Sequence, residues 1–386
     1  MKKKKMIAIS AIISVVIITA LSLVLFYSYQ ARSDYKEPLS VSSHSVKSTA
    51  PHHYSKTIKV STTIGAIGDL LIHDWIYEDA KTENGYDFKP ILQHMKPYLL
   101  EPDLLLANQE TVLGGVEIGL SSYPSFNSPT EVGDALIDSG VDIVSTANNH
   151  TLDRGEKAIQ NAINYYNRVG LPYVGHFANE HDKNTIRVLN SNGISFAFLA
   201  YTYGTNGIPV PEGKEYLVNL IDVEAMKKEI ARAKEVADVI VMSMHWGNEY
   251  QRLPSDEQKY LATVLAESGA DIIFGHHPHV LQPMDWIETT DGRKVFVVYS
   301  LGNFLSGQMW DYKDIGGLAT IEVTKTTNEN GTKIQLSNPE FIPTFVSSQN
   351  IRNYRVVPLK DAGSFGLSNA VEKNQEIMNH MFQFIQ

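Results

Sequence analysis

Residues 139–150 read Ser-Gly-Val-Asp-Ile-Val-Ser-Thr-Ala-Asn-Asn-His. A short apolar run closed by Asn148, Asn149 and His150 is the pattern of a strand buried on both faces, with polar groups at its carboxyl end. The pattern recurs on either side. Pro102-Asp103-Leu-Leu-Leu-Ala107 leads into Asn108-Gln109-Glu110, and Ala237-Asp238-Val-Ile-Val-Met-Ser-Met244 into His245-Trp246-Gly247. Ser268-Gly269-Ala270-Asp271-Ile-Ile-Phe274 leads into Gly275-His276-His277-Pro278-His279. Thr62-Thr-Ile-Gly-Ala-Ile-Gly68 ends at Asp69, and Val295-Phe-Val-Val-Tyr299 runs into Ser300-Leu301-Gly302-Asn303. Helical patterns fall between several of these runs, at 130–139, 155–169, 223–236 and 255–268. Alternating strands and helices predict an α/β architecture with mainly parallel pairing in its centre. In such sheets ligands bind beyond the carboxyl ends of the strands, which is where these polar residues collect.

After Gly317 the pattern changes. Residues 318–323, a polar turn at 327–331 and residues 334–336 read as a hairpin. Residues 341–346 read as a further strand and 370–384 as a last helix, all packed on the same domain. That domain is expected to span 58–386, with the strand-end motifs in 60–320 and the C-terminal strands and helix in 321–386. Residues 32–57 are rich in Ser, His, Lys and Pro and read as a flexible tether.

Residues 1–31 are different in kind. Lys2 to Lys5 precede an uncharged run from Met6 to Ala31 whose apolar core ends near Tyr27. Roughly 22 core residues at about 1.5 Å each reach about 33 Å, enough to cross a bilayer. A cleaved signal peptide usually has an apolar region of only about 7–15 residues, so the reading is an uncleaved single-pass anchor at 6–27. The lysines keep the N-terminus cytoplasmic and place the main domain outside the cell membrane.

Composition bounds the function. The chain has 386 residues, 43% apolar and 20% charged, as a folded protein with a large core would have. Cysteine is absent, which removes disulfides, thiolate metal sites and cysteine nucleophiles. The net charge of −10 argues against a general nucleic-acid binder. With the four-lysine block set aside, 29 basic residues face 43 acidic ones, about −14 for the outer portion.

Of 13 histidines, five (His150, His245, His276, His277 and His279) stand at the strand ends, beside Asp69, Glu110, Asn148 and Asn149. Imidazole with carboxylate and amide oxygen is a ligand set for a borderline divalent ion: manganese, zinc or iron. A single histidine after a strand is as often a capping or core residue. The whole set at consecutive strand ends is what points to one or two ions per chain, the second held across a bridging carboxylate.

Gly68-Asp69, Asn108-x-Glu110, Asn148-Asn149-His150-x-x-Asp153-x-Gly155, His245-Trp246-Gly247-x-Glu249, Gly275-His276-His277-Pro278-His279 and Ser300-Leu301-Gly302-Asn303-Phe304 occur in that order. Together they resemble the CapA/PgsA family of bacterial poly-γ-glutamate capsule proteins, over roughly residues 60 to 320. The resemblance implies a membrane-anchored protein whose domain is a four-layer α/β/β/α sandwich of metallophosphoesterase type. It implies Asp69, Glu110, Asn149, His245, His277 and His279 as metal ligands, with His150 and Asp153 catalytic. Asn148, Trp246, His276 and Asn303 are implied to face substrate or support the ligands. One departure stands out. Metallophosphoesterases open with Asp-x-His, but position 71 is leucine, and His73 is either a replacement ligand or a surface histidine. Glu249 and Gln251 either point into the cleft or start a turn.

The resemblance also implies partners: the membrane-bound subunits of a poly-γ-glutamate synthase, and the polymer itself. Three functions remain open at this point. One is capsule biosynthesis or export with a metal-dependent hydrolase-like site. Another is a phosphoesterase or amide hydrolase outside any capsule system. The third is a non-catalytic accessory subunit of the synthase. An acidic domain repels a polyanion over the ~8–10 Å screening length, so handling polyglutamate needs a local cationic centre. Bound metal with the histidine cluster could supply one, and so could local lysine or arginine, for example Arg252 or Arg154.

Overall fold

β1 (Ile58–Leu71) is exposed at Ile58 and Lys59 but buried over its last eight residues, as expected of a strand that runs into the middle of a core. The computed structural model describes residues 57–385. The expected membrane anchor, and all of the tether but Thr57, lie outside these residues. Among the described residues, no helix is long and apolar enough to cross a membrane.

β1 pairs in parallel with β4 (Leu104–Asn108), which continues to β5 (Ile143–Ser145) and β6 (Tyr173–Val174). On its other side β1 is antiparallel to β14 (Ile315–Asn328), followed by β15 (Gly331–Gln349) and β16 (Arg352–Pro358). β13 (Asn303–Ser306) adds to the end of β1 in parallel. A second sheet runs β11 (Leu281–Glu288), β12 (Lys294–Leu301), β10 (Ile272–His276), β9 (Val239–His245), β8 (Ile194–Thr202) and β7 (Arg187–Ser191). Its four middle strands are parallel and its two edges antiparallel. A separate ribbon is formed by β2 (Lys81–Thr82) and β3 (Gly85–Tyr86).

The layers follow from connection handedness. β1, β4, β5 and β6 step across their sheet in one direction, so right-handed crossovers place helices Glu131–Asp138 and Gly155–Val169 on one face. The same rule places Val223–Lys234 and Asp256–Ser268 on one face of the second sheet. Side-chain alternation agrees. Ile240, Met242 and Met244 of β9 pack with Met226, Ile230, Leu261 and Leu265 of that helix pair. Val239 and Val241 face the other way, into the core shared with β1. The result is a mixed α/β domain in which two sheets stack and each carries helices outside.

The central parallel pairing and the four helices match expectation; the C-terminal strands differ. Residues 341–346 are not a separate strand but the far half of the 19-residue β15. β16 completes that sheet at its edge. Tyr201 lies in β8, buried, with its hydroxyl bonded to Glu229.

Two glycines let backbones meet where the strands end. A Cβ on Gly68 would lie 2.0 Å from Gly302 O, and one on Gly275 would lie 2.0 Å from Tyr299 O. Both obstacles are main-chain atoms that cannot swing aside. Gly275→Ala is therefore expected to cost about 3 kcal/mol, read as a fall in the midpoint of chemical unfolding.

Candidate metal centre

Glu110 follows β4 and is fully buried, yet neither carboxylate oxygen has a hydrogen-bond partner. A buried polar group left in this state costs free energy unless something fills the place of its partner. What surrounds it is a ring of potential ligands. His245 Nε2 and His279 Nε2 each lie 3.6 Å from Glu110 Oε1. Ligand atoms of Asp69, Glu110 and His279 lie within 4.8 Å of one another, and so do those of Glu110, His245 and His277. Asn149 Oδ1 is 2.7 Å from His245 Nε2 and joins the second group. Glu110 is common to both. The two groups supply carboxylate, imidazole and amide donors, the set that suits borderline divalent ions.

Neighbouring groups aim the ligands. Asn108 Nδ2 donates to Asp69 Oδ1 at 2.8 Å, and the His277 backbone N–H points at Asp69 Oδ2 at 3.3 Å. His279 Nδ1 lies 3.0 Å from Asn303 Oδ1 and 3.2 Å from Asp69 Oδ2, which leaves Nε2 for the centre. Asn303 is itself fixed by donating to Gln308 Oε1 and to Lys313 O. His277 and His279 have φ of 94° and 57°, backbone values that non-glycine residues adopt at a cost. The turn that brings both imidazoles to the centre is thus held in a strained form by its surroundings.

Burial keeps the His245 and His277 rings uncharged, well below the ordinary imidazole value for His245 and down to about 3 for His277. A neutral ring is the form that ligates an ion. Burial also disfavours charge on His279, but Glu110 and Asp69 outweigh it and push that ring up to about 9. Burial raises the Glu110 carboxyl well above its usual range. At Asp69 burial acts upward too, but hydrogen bonding from His276 and His279 wins and holds it well below. An ion entering the centre must therefore displace the proton of His279, and it meets a Glu110 carboxyl that holds a proton more tightly than an ordinary one. Metal affinity is expected to rise with pH up to about 9 and to fall as pH drops, because protons then compete for both groups. Calorimetric titration between about pH 6 and 9, in buffers of different ionisation enthalpy, would read the proton release.

His150 stands beside the centre and in neither ligand group. Its Nδ1 is 2.7 Å from Asp153 Oδ2, the same oxygen that accepts from the Phe126 backbone N–H at 2.7 Å. Phe126 also meets the His150 ring edge-on at 4.8 Å, so ring and carboxylate are fixed together. Asn206, from the loop after β8, contacts both sides: it accepts from Asn149 Nδ2 at 3.1 Å and lies 3.4 Å from His150 Nδ1.

Not every residue singled out in the sequence faces the cleft. Trp246 is buried in the outer core against the helices, with its indole N–H donating to Tyr299 O, so it supports the fold. Asn148 is buried and bonded to Gln109 O and the His150 N–H, shaping the loop. His276 lies fully buried, its Nδ1 3.5 Å from Asp69 Oδ1. His73 is a core residue, not a surface one: it is 6% exposed, stacks on Trp75, and its Nδ1 is engaged with Leu71 O and the Gly307 N–H. It belongs to none of the ligand groups. Arg154 is bonded to Ile118 O, Gly119 O and Ser121 Oγ. Arg252 stacks on Tyr312 and pairs with Glu376. Glu249, left open by the sequence, lies with His277 and His279 in a third ligand group.

A family model described as bacterial capsule synthesis protein PGA_cap matches residues 63–308, a span that holds every residue of the centre from Asp69 to Asn303. The capsule biosynthesis protein CapA of Bacillus anthracis is 30% identical over 351 residues, covering 86% of this chain and 81% of that protein. The PGA biosynthesis protein CapA of Bacillus subtilis is 31% identical over 248 residues, 63% of each chain. Solved structures with some likeness include the NAD nucleotidase of Haemophilus influenzae, at 12% identity and a TM-score of 0.46, covering 82% of this chain and 56% of that one. The calcineurin-like phosphoesterase YfkN of Bacillus subtilis is another, at 17% identity and a TM-score of 0.45, covering 83% of this chain and 98% of that one.

Proposed function

Because the chain belongs to the PGA_cap family of bacterial capsule synthesis proteins, we propose that it acts in the production or export of a poly-γ-glutamate capsule, through a metal-dependent, hydrolase-like centre. The observation that carries this reading is the Glu110 carboxylate, buried and unpartnered between two groups of ligands. A dication in each group would offset the cost of burying it.

Asp69, Glu110 and His279 would hold one ion, and Glu110, Asn149, His245 and His277 the other. Bound there, the ions would supply a water that loses its proton near neutral pH. The chain's own residues provide the rest. Asp153 fixes the His150 ring, and His150 is placed to hold negative charge at the reacting group or to give a proton to the leaving group of a phosphoester or amide. Tyr203 packs 4.5 Å from His277, and together with the half-exposed Tyr250 it forms an aromatic rim.

The charge balance favours metal under this reading. Of the arginines that could draw in a polyanion, Arg154 is bonded to backbone carbonyls and Arg252 is paired with Glu376. The anchor at 6–27 would hold the acidic domain at the outer face of the cell membrane, next to the synthase subunits that are its expected partners. A second reading, a non-catalytic accessory subunit, is favoured by Leu71, which stands where metallophosphoesterases carry a histidine and is buried.

The test is complementation of a capsule-forming strain that lacks its own copy. The wild-type chain should restore surface poly-γ-glutamate, while Glu110→Gln, expressed to the same level, should not. Polymer restored fully by Glu110→Gln would remove the metal centre from the function and leave the accessory reading.

A further inference from the structure

The ligand group around Asp69 offers only three side chains, and the first strand supplies no fourth because position 71, two residues after Asp69, is a leucine without a donor atom. On the open side of the centre a carboxylate does stand within reach. Glu249 lies in the turn after β9, and its oxygen shares a 4.8 Å cluster with ligand atoms of both His277 and His279.

Exposed carboxylates are common near histidines, so placement has to be shown to be built. The turn is clamped onto the histidine loop: Tyr250 N–H donates to Pro278 O at 2.7 Å, and Trp246 N–H donates to His276 O at 3.1 Å. Gly247 and Tyr250, on either side of Glu249, have φ of 81° and 66°, so the chain bends back on itself to present the intervening residues. A side chain on Gly247 would also collide with Gln258 Oε1 at 2.5 Å. Gln282 Nε2 donates to Gln251 O at 2.8 Å and pins the outgoing segment. The second, independent observation lies inside the cluster. His277 Nδ1 is buried without a partner, so an unsatisfied ligand atom belongs to one of the two rings that Glu249 approaches.

We propose that Glu249 is a metal ligand, supplying from the turn after β9 the protein donor that Leu71 cannot supply from β1. The inference rests on the reading of Asp69, Glu110 and the histidines as a metal centre. It also changes the character of that centre. A carboxylate in place of a histidine makes the donor set richer in oxygen, which favours manganese over zinc relative to a histidine-rich site.

The test uses the full-length chain, stripped of metal and titrated with Mn²⁺ and, separately, with Co²⁺. Stoichiometry comes from mass spectrometry and coordination from the Co²⁺ absorption spectrum. Wild type should take up two equivalents. Glu249→Gln keeps the size of the side chain, and since position 249 is exposed the metal-free variant should unfold at the wild-type temperature. It should lose at least tenfold in affinity for one or both ions and show an altered Co²⁺ spectrum. Glu257→Gln, an equally exposed change in helix Asp256–Ser268, should bind as wild type and so exclude a general charge effect. Two equivalents bound by Glu249→Gln with wild-type affinity and spectrum would overturn the assignment while leaving the centre intact. No uptake by wild type would instead defeat the reading of the centre itself.

Discussion

Glu110→Gln is expected to leave the metal-free domain folded and about as stable as wild type, while abolishing its response to metal. The reasoning starts from the side chain's isolation. Both oxygens of Glu110 are buried without partners, and burial raises the carboxyl well above its usual range. An amide of the same shape keeps the packing and removes a charge that burial disfavours, so little changes in the empty protein. With metal the two proteins diverge. An ion present at about 100 times its dissociation constant stabilises the folded state by about 2.7 kcal/mol per site. For two sites in a domain of this size, that corresponds to a rise in melting temperature on the order of 5–10 °C. Wild type should show that rise with Mn²⁺ and Glu110→Gln none, because Glu110 is the ligand common to both groups. A full thermal shift in the variant would mean that the ions, if bound, do not use Glu110.

His150→Ala should separate chemistry from metal binding. His150 lies outside both ligand groups, so metal content is expected to stay at the wild-type level. Turnover of a chromogenic phosphodiester should fall about 100- to 10 000-fold, the usual contribution of a positioned acid or base. Asp153→Asn tests the same dyad at one remove. Asp153 Oδ2 ties His150 Nδ1 to the Phe126 backbone, so its loss should cost about 10- to 100-fold, again with metal retained. A His150→Ala protein that kept both its metal and its turnover would take this histidine out of the reaction.

Much of the centre is legible from the sequence because its ligands follow buried parallel strands. Apolar runs mark the strands, and the polar residues that follow each run within a few positions collect at the same end of the sheets, among them Asp69, Glu110, Asn149, His245 and His277. What the sequence does not show is what depends on direction or on turns. Trp246 adjoins His245, but neighbouring side chains on extended backbone point to opposite faces, so the tryptophan goes to the outer core. His73 is two residues past β1, just before the short helix Asp74–Asp79, and its ring packs on Trp75 and Phe126 instead of joining a ligand group. Asn206 reaches His150 from 56 positions away in the chain, through a loop with no periodic signal. Glu249 owes its position to two left-handed backbone residues and one hydrogen bond to Pro278, none of which leaves a mark on hydrophobic pattern. The late strands are misjudged for another reason. β15 carries its partly exposed half and its buried half in one continuous strand, so the pattern breaks where the backbone does not.

The central claim is that two ions share Glu110, and electron paramagnetic resonance of the full-length chain titrated with Mn²⁺ tests it most directly. At two equivalents, wild type should give the broadened spectrum of an exchange-coupled Mn²⁺ pair, and Glu110→Gln should give none. Two independent, uncoupled Mn²⁺ signals in wild type, or no bound Mn²⁺ at all, would contradict the shared centre.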